Sequence, residues 1–253
     1  MPDKSLGQHW LKDRLVLQSI VDLADTQPTD TVLEIGPGLG TLTSVLLANT
    51  ARVVAVEFDA GLAGKLSGQF PGKDLTVINQ DVLQFNFADL PPNYVVVANL
   101  PYYITSKIIQ RLSETANPPR RAVLLVQKEV AERLAAVPGD LSLLAIATQI
   151  YFEISLGPVV GADLFTPPPK VDSQVAVLRR RPQPLVGQPD RGRFFQLVKA
   201  GFSNRRKKLR SSLSGGLAMP KTEIESLLER AGIDPNLRAQ DLSIDDWLRL
   251  ARL

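Results

Sequence analysis

The chain has no cysteine and a single histidine, His9, among 253 residues. Disulfides and thiolate metal sites are therefore excluded, and clusters of histidine ligands with them, so no metal is expected. Long apolar runs are also missing. Nothing approaches the roughly 20 residues a membrane-spanning helix needs, and Met1 to Gln8 lacks the apolar core of a secretion signal. These absences lead us to expect a cytoplasmic protein with no membrane partner. A further deficit is local. Residues 191–210 hold Arg191, Arg193, Lys199, Arg205, Arg206, Lys207, Lys208 and Arg210 but no acid, in a chain of formal net charge +3. Arg179-Arg180-Arg181 lies just upstream. Cations concentrated in a near-neutral chain imply a polyanionic partner, although a solvated helix face is the commoner origin of such runs.

What is present is an alternation of strand and helix patterns. Helical spacing is read over 13–25, 41–48, 60–69 and 105–114. Short apolar runs read as strands at 31–35, 52–57, 75–78, 94–98 and 122–126. Such alternation implies right-handed crossovers and a mainly parallel sheet. Helical segments at 128–136 and 141–150 follow, then strands at 151–157 and 174–179 that could form a closing hairpin. The expected organisation is an α/β domain over 1–181, a Pro-rich linker over 182–190 and a small all-α domain over 191–253. Leu227, Leu228, Trp247, Leu248 and Leu250 would supply the core of the last.

Polar residues recur at the ends of the strand patterns. Glu34-Ile35-Gly36-Pro37-Gly38-Leu39-Gly40 joins the first strand to its helix, and its glycines permit positive φ and close approach of a ligand. Thr41 stands where a dinucleotide fingerprint needs its third glycine, which counts against a nicotinamide oxidoreductase. The G-x-G-x-G spacing is more usual in S-adenosylmethionine methyltransferases. Glu57 ends the second strand and could accept both hydroxyls of a ribose. Asp81 follows the third and could accept from an adenine amino group. Each acid alone is more often a cap or a solvated loop residue.

Asn99-Leu100-Pro101-Tyr102 follows the fourth strand, at the sheet edge where open α/β folds bind ligands. The Asn99 side-chain oxygen and the Leu100 or Pro101 carbonyl could accept both hydrogens of an exocyclic amine. Tyr102 could stack on the base that carries it. Phe165 is a candidate for the opposite face of that base, with an ordinary core position as its rival. Lys170 could meet phosphate or simply lie at the surface.

Together these motifs resemble the rRNA adenine N6-dimethyltransferase family, most closely its small-subunit (16S) branch. The likeness runs through Gly7-Gln8-His9-Trp10-Leu11, the glycine loop, Glu57, Asp81, Asn99 to Tyr102, Gln127-Lys128-Glu129-Val130, Phe165 to Ser173 and Arg205 to Arg210. It implies a Rossmann-like S-adenosylmethionine-dependent methyltransferase domain followed by a helical domain. Cofactor contacts would fall on His9, Leu11, Gly36, Gly38, Glu57, Asp81 and Asn99. Catalytic positioning would fall on Asn99, Leu100, Pro101, Tyr102 and Phe165. RNA contacts would fall on Lys170, Arg205, Arg206, Lys207, Lys208 and Arg210. The implied substrate is small-subunit rRNA in an immature 30S subunit, dimethylated at two adjacent adenines of its 3′-terminal hairpin by a monomeric enzyme. Large-subunit rRNA methyltransferases share this chemistry, and a non-catalytic assembly factor could share the fold. His9 departs from the asparagine usual in the family, which makes its protonation a variable, and Pro138-Gly139-Asp140 is shorter than the corresponding family loop.

Overall fold

The computed structural model describes residues 9–50 and 52–253. Gly7 and Gln8 of the N-terminal motif lie outside them. Strand β1 (Trp10–Leu11) pairs antiparallel with β8 (Phe165–Thr166) in a two-stranded ribbon. The main sheet has seven strands in the order β4-β3-β2-β5-β6-β9-β7. Strands β2 (Thr31–Ile35), β3 (Arg52–Glu57), β4 (Asp74–Asn79), β5 (Val95–Asn99) and β6 (Arg121–Gln127) run parallel. Strand β9 (Ser173–Arg180) is antiparallel to both β6 and β7 (Phe152–Val160). The expected α/β fold is thus observed, with the hairpin of β7 and β9 closing one edge.

Burial explains why the strands were readable as apolar runs. Val95, Val96, Val97 and Ala98 of β5 and all residues from Ala122 to Val126 of β6 are fully buried. Central parallel strands are covered on both faces and lose the in–out alternation of a half-exposed sheet. On one face, Val32, Val95, Val97, Val123, Leu125, Val175 and Val177 pack in one cluster with Leu17, Ile20 and Val21 of α1 (Arg14–Ala24). Leu42, Val45 and Leu46 of α2 (Thr41–Asn49) join them. Each such side chain contributes about 1.5–3 kcal/mol on full burial. Asp13 caps α1 and Asp59 caps α3 (Ala60–Ser67) through their side chains, but α2 begins at Gly40 with no side-chain cap.

The chain forms two compact units, and they divide it differently from the expected boundaries. One unit runs through Glu132 and resumes over Phe152–Arg180; the other comprises Arg133–Tyr151 and Arg181–Leu253. The segment 133–151, expected with the α/β domain, therefore joins the helical unit. Backbone bonds explain this: Gly139 and Leu141 donate to the Gln240 carbonyl, Arg181 to that of Tyr151, and Leu185 to that of Ile150. The 182–190 stretch is also no free linker. Val186 is fully buried, and helix α7 (Gln188–Phe202) follows directly, with Pro189 in its first turn, where a proline costs no hydrogen bond.

The boundary falls within α5 (Lys128–Leu134). The helical unit then holds α6 (Leu143–Gln149), α7 (Gln188–Phe202), α8 (Leu209–Leu217), α9 (Lys221–Arg230) and α10 (Ile244–Ala251). Its core includes Phe194, Leu197, Leu213, Leu228 and Trp247. Helices α7 and α8 meet at Gly216, where an added Cβ would sit 2.6 Å from the Ala200 Cα. Within the stretch expected to be all-α, 205–208 is not helical. Arg205 to Lys208 form an exposed turn, and α8 begins only at Leu209, whose amide donates to the Leu237 carbonyl at 2.7 Å. Four adjacent cations repel one another and offer no apolar face to bury, so the helix starts where burial resumes.

Candidate active site

The carboxyl ends of β2, β3, β4 and β5 surround a cavity of about 350 Å³. Strand order reverses at β2, which places the cavity at a topological switch point. Gly36 and Gly38 line it, at φ +67° and +57°. A Cβ on Gly36 would meet nothing, whereas one on Gly38 would press on the Trp10 indole at 3.1 Å. The loop is therefore glycine-rich for its backbone conformation at Gly36, and for conformation and packing together at Gly38.

Glu57 fastens this loop to β3. Its Oε2 accepts from the Gly38 amide at 3.0 Å and its Oε1 from the Asp59 amide at 2.9 Å. Both oxygens keep further lone pairs, and the residue lines the cavity at 6% exposure. Asp81 accepts from the Leu83 amide at 2.9 Å through Oδ1, so Oδ2 remains to meet a ligand. Val56, Ile35, Val82 and the exposed ring of Phe58 supply apolar wall beside these acids. Carboxylates for ribose hydroxyls and an exocyclic amine, set among apolar walls and an open glycine cradle, fit S-adenosylmethionine.

Asn99 ends β5. Its Nδ2 donates to the His9 carbonyl at 3.0 Å. A carbonyl can only accept, so this bond fixes the amide orientation and leaves Oδ1 as a free acceptor. The structure also separates the two carbonyls that the sequence left open. That of Pro101 accepts from the Ile104 amide at 3.3 Å and the Thr105 hydroxyl at 3.1 Å. The Leu100 carbonyl has no such bonds among the described residues and so remains open as an acceptor, whereas Pro101 shapes the turn. Tyr102 also lines the cavity. Its hydroxyl shares a 2.8 Å hydrogen bond with Ser173, and its ring stacks on His9 at 5.8 Å. Burial holds its phenol above the usual tyrosine range, against the opposing Ser173 bond. His9 Nδ1 lies 2.8 Å from the Pro167 carbonyl and so carries the proton there.

Two expected site residues are elsewhere. Leu11 and Phe165 are buried in the α/β core and do not line the cavity. They are opposed residues of the β1–β8 ribbon, and pairing turns both side chains inward. Leu11 still supports the glycine loop, because its carbonyl accepts from Thr41 Oγ1 at 2.9 Å. Lys170 is exposed and away from the cavity.

Among the cations expected to hold RNA, Lys208 donates to Asn236 at 2.9 Å and Arg210 pairs with Glu225 at 2.6 Å. That leaves Arg205, Arg206 and Lys207 exposed on the turn.

Several contributors were not singled out from sequence. Trp10, Phe58, Tyr103 and Lys107 line the cavity. Ser173 orients Tyr102. Glu34, at 1% exposure, accepts from Thr43 at 2.6 Å and has its other oxygen unpartnered among the described residues. Burial raises its carboxyl to about 8 against the lowering effect of the Thr43 bond. Its place next to the glycine loop, inside an otherwise apolar strand, was the available signal.

A family model described as "Ribosomal RNA adenine dimethylase" matches residues 2–253. The chain belongs to the ribosomal RNA adenine dimethylase family. It is 42% identical to "Ribosomal RNA small subunit methyltransferase A" of Dehalococcoides mccartyi strain CBDB1, over 98% of this chain and 86% of that one. A protein of the same description from Bacillus cytotoxicus is also 42% identical, covering 98% and 89%. Among solved structures, the 23S rRNA methyltransferase ErmE superposes with TM-score 0.78 at 31% identity, over 96% of this chain and 98% of that one. A dimethyladenosine transferase from Plasmodium falciparum gives 0.80 at 27% identity, over 96% of each. Membership agrees with the site: the family's methyl donor fits the Gly36–Glu57–Asp81 side, and an adenine amine fits Asn99 and Leu100. Among the described residues, no His, Cys, Asp and Glu group could hold a metal, and no helix is long and apolar enough to cross a membrane.

Proposed function

We propose that the chain dimethylates the N6 of two adjacent adenines in the 3′-terminal hairpin of small-subunit rRNA, acting as a cytoplasmic monomer on immature 30S subunits. S-adenosylmethionine supplies an electrophilic sulfonium methyl and leaves as the neutral thioether. Asn99 Oδ1 and the Leu100 carbonyl accept the two N–H bonds of the target amine. That geometry draws the nitrogen lone pair out of conjugation and aims it at the methyl carbon. A new N–C bond forms as the C–S bond breaks. The resulting ammonium is acidic and releases its proton to water, so no strong base is required. Positioning of this kind is worth roughly 7–11 kcal/mol in favourable systems. Tyr102, held by Ser173, offers a ring face to the base, which must leave its stack to enter.

The observation that carries this reading is the Asn99–His9 bond, because it commits the amide nitrogen and leaves the oxygen as an acceptor. The small-subunit substrate is supported by the relatives at 42% identity. The likeness to ErmE supplies a second reading, a large-subunit substrate. The test uses labelled S-adenosylmethionine with undermethylated small and large subunits, followed by mapping of the modified nucleotides. Label on two adjacent small-subunit adenines supports the proposal. Label confined to large-subunit RNA, or none, overturns it.

A further inference from the structure

The cavity mouth carries an aromatic side chain that the reaction as described does not use. Tyr103 lines the cavity yet is 61% exposed. It sits in the single 3-10 turn Tyr102–Ile104, between Pro101 and α4 (Thr105–Glu114). Its neighbour Tyr102 is half-buried and tied to Ser173, whereas Tyr103 has no hydrogen-bonding partner among the described residues. Lys107 lies one turn further along the chain, lines the same mouth and is likewise exposed and unpartnered.

This pair stands on a braced element. The Arg111 guanidinium of α4 donates to the Leu83 carbonyl, and to that of Phe85 at 2.6 Å, and lies over the Phe87 ring at 5.3 Å. Thr105 donates back to the Pro101 carbonyl at 3.1 Å. The turn holding Tyr103 is thus fixed to both the Asn99 motif and the segment after Asp81. An exposed ring on a fixed turn, beside an unpaired ammonium, is the equipment of a single-strand stacking platform: a π-face for a base and a charge for phosphate.

We infer that Tyr103 and Lys107 form a subsite for the nucleotide adjoining the adenine held at Asn99. The ring takes that base, and the ammonium takes the phosphate between the two nucleotides. This rests on the proposed reading of the site and deepens it. When one of two adjacent adenines is in the pocket, the platform holds the other outside. Tyr103 is therefore a positioning residue for the RNA and makes no contact with the reacting atoms.

The experiment compares wild type with Tyr103→Ala, Tyr103→Phe and Lys107→Gln on undermethylated small subunits. Expected is a rise in KM for the RNA of roughly tenfold in Tyr103→Ala, the loss of one stacked base, with unchanged affinity for S-adenosylmethionine by calorimetry. The yields at the two adenines should also become unequal. Tyr103→Phe, which keeps the ring face, should restore wild-type behaviour. Lys107→Gln should lower the log–log salt slope of RNA binding by roughly 0.7–0.9. If Tyr103→Ala matches an active wild type, or Tyr103→Phe fails as badly as Ala, the subsite is wrong. A loss of cofactor affinity in Tyr103→Ala would instead make the ring a cover for the donor and also overturn it. A wild type that leaves small-subunit adenines unmodified overturns the functional reading itself, and the subsite with it.

Discussion

At the strand ends of the α/β unit, Glu57, Asp81 and Asn99 are each tied by hydrogen bonds to backbone groups. In the helical unit, Arg205, Arg206 and Lys207 lie exposed on a turn, with no bond fixing their charged ends among the described residues. The first arrangement holds a few atoms in place before a ligand arrives, as chemistry at a defined atom requires. The second presents exposed cations, which suffice to attract a polyanion and carry no sequence information. Substitutions of the strand-end residues and of the basic turn should therefore fail in different ways: activity or cofactor affinity at the first, salt-dependent RNA affinity at the second.

The largest effect should come from Asn99→Ala. Removing one of two acceptors frees the target amine to rotate, and misplacement on this scale costs on the order of 100-fold in rate. RNA affinity should stay within about threefold, because Asn99 lines the cavity and carries no charge for phosphate. Single-turnover methylation beside a filter-binding titration reads both. Near-normal turnover would remove Asn99 from the mechanism and break the contrast between the units.

Next is Glu57→Ala, read by calorimetry with S-adenosylmethionine. A lost hydrogen bond to a charged acceptor costs on the order of 1.5–3 kcal/mol, or about 10- to 150-fold in affinity. The glycine loop loses its tie to β3 in the same variant, so Glu57→Gln, which retains an acceptor, should recover part of the affinity. If both variants bind the donor like wild type, Glu57 is a loop anchor only.

The sequence carried the strand-end acids well for a physical reason. At Glu57 a carboxylate directly after the four buried apolar residues Val53 to Val56 is conspicuous, and strand burial on both faces made that run continuous. What it could not carry depended on pairing across the chain. Leu11 and Phe165 turn inward because β1 meets β8, strands separated by most of the α/β unit. The choice between the Leu100 and Pro101 carbonyls required the bonds made by Ile104 and Thr105. The segment 133–151 has ordinary helical spacing, and only its bonds to Gln240 and to 181–185 reveal which core it joins. At 205–208 the charge run has no apolar period, and the chain there turns between α7 and α8.

A third prediction sharpens the picture of the basic turn. Neutralising Arg205, Arg206 and Lys207 together should weaken RNA binding and flatten its salt dependence by roughly 0.7–0.9 log–log units per lost phosphate contact. Donor affinity should be unchanged. Arg210→Gln is the control within the same motif. Its guanidinium pairs with Glu225, so its loss should leave the salt slope near that of wild type. Coincident slopes for wild type and the triple variant would move the RNA grip elsewhere, with Arg179 to Arg181 the next stretch to test.

An effect on stability rather than on activity or binding concerns Glu34, the buried acid of the α/β unit that does not line the cavity. Its carboxyl is raised from 4.5 to about 8, chiefly by burial, with the Glu57 charge adding to the rise and the Thr43 bond opposing it. The unfolded chain should release this proton near 4.5, while the folded protein keeps it until about 8. The folded state therefore binds more protons in that window. The stabilisation is complete below the lower value and is lost progressively as pH rises through the upper one, with a slope of at most about 1.4 kcal/mol per pH unit. Glu34→Gln keeps an oxygen for Thr43 and never ionises, so it should remove that slope. Thermal melts of both proteins from pH 5 to pH 9 make the comparison. The wild type should lose stability with rising pH relative to the variant, and parallel curves would mean that Glu34 is ionised in the fold throughout.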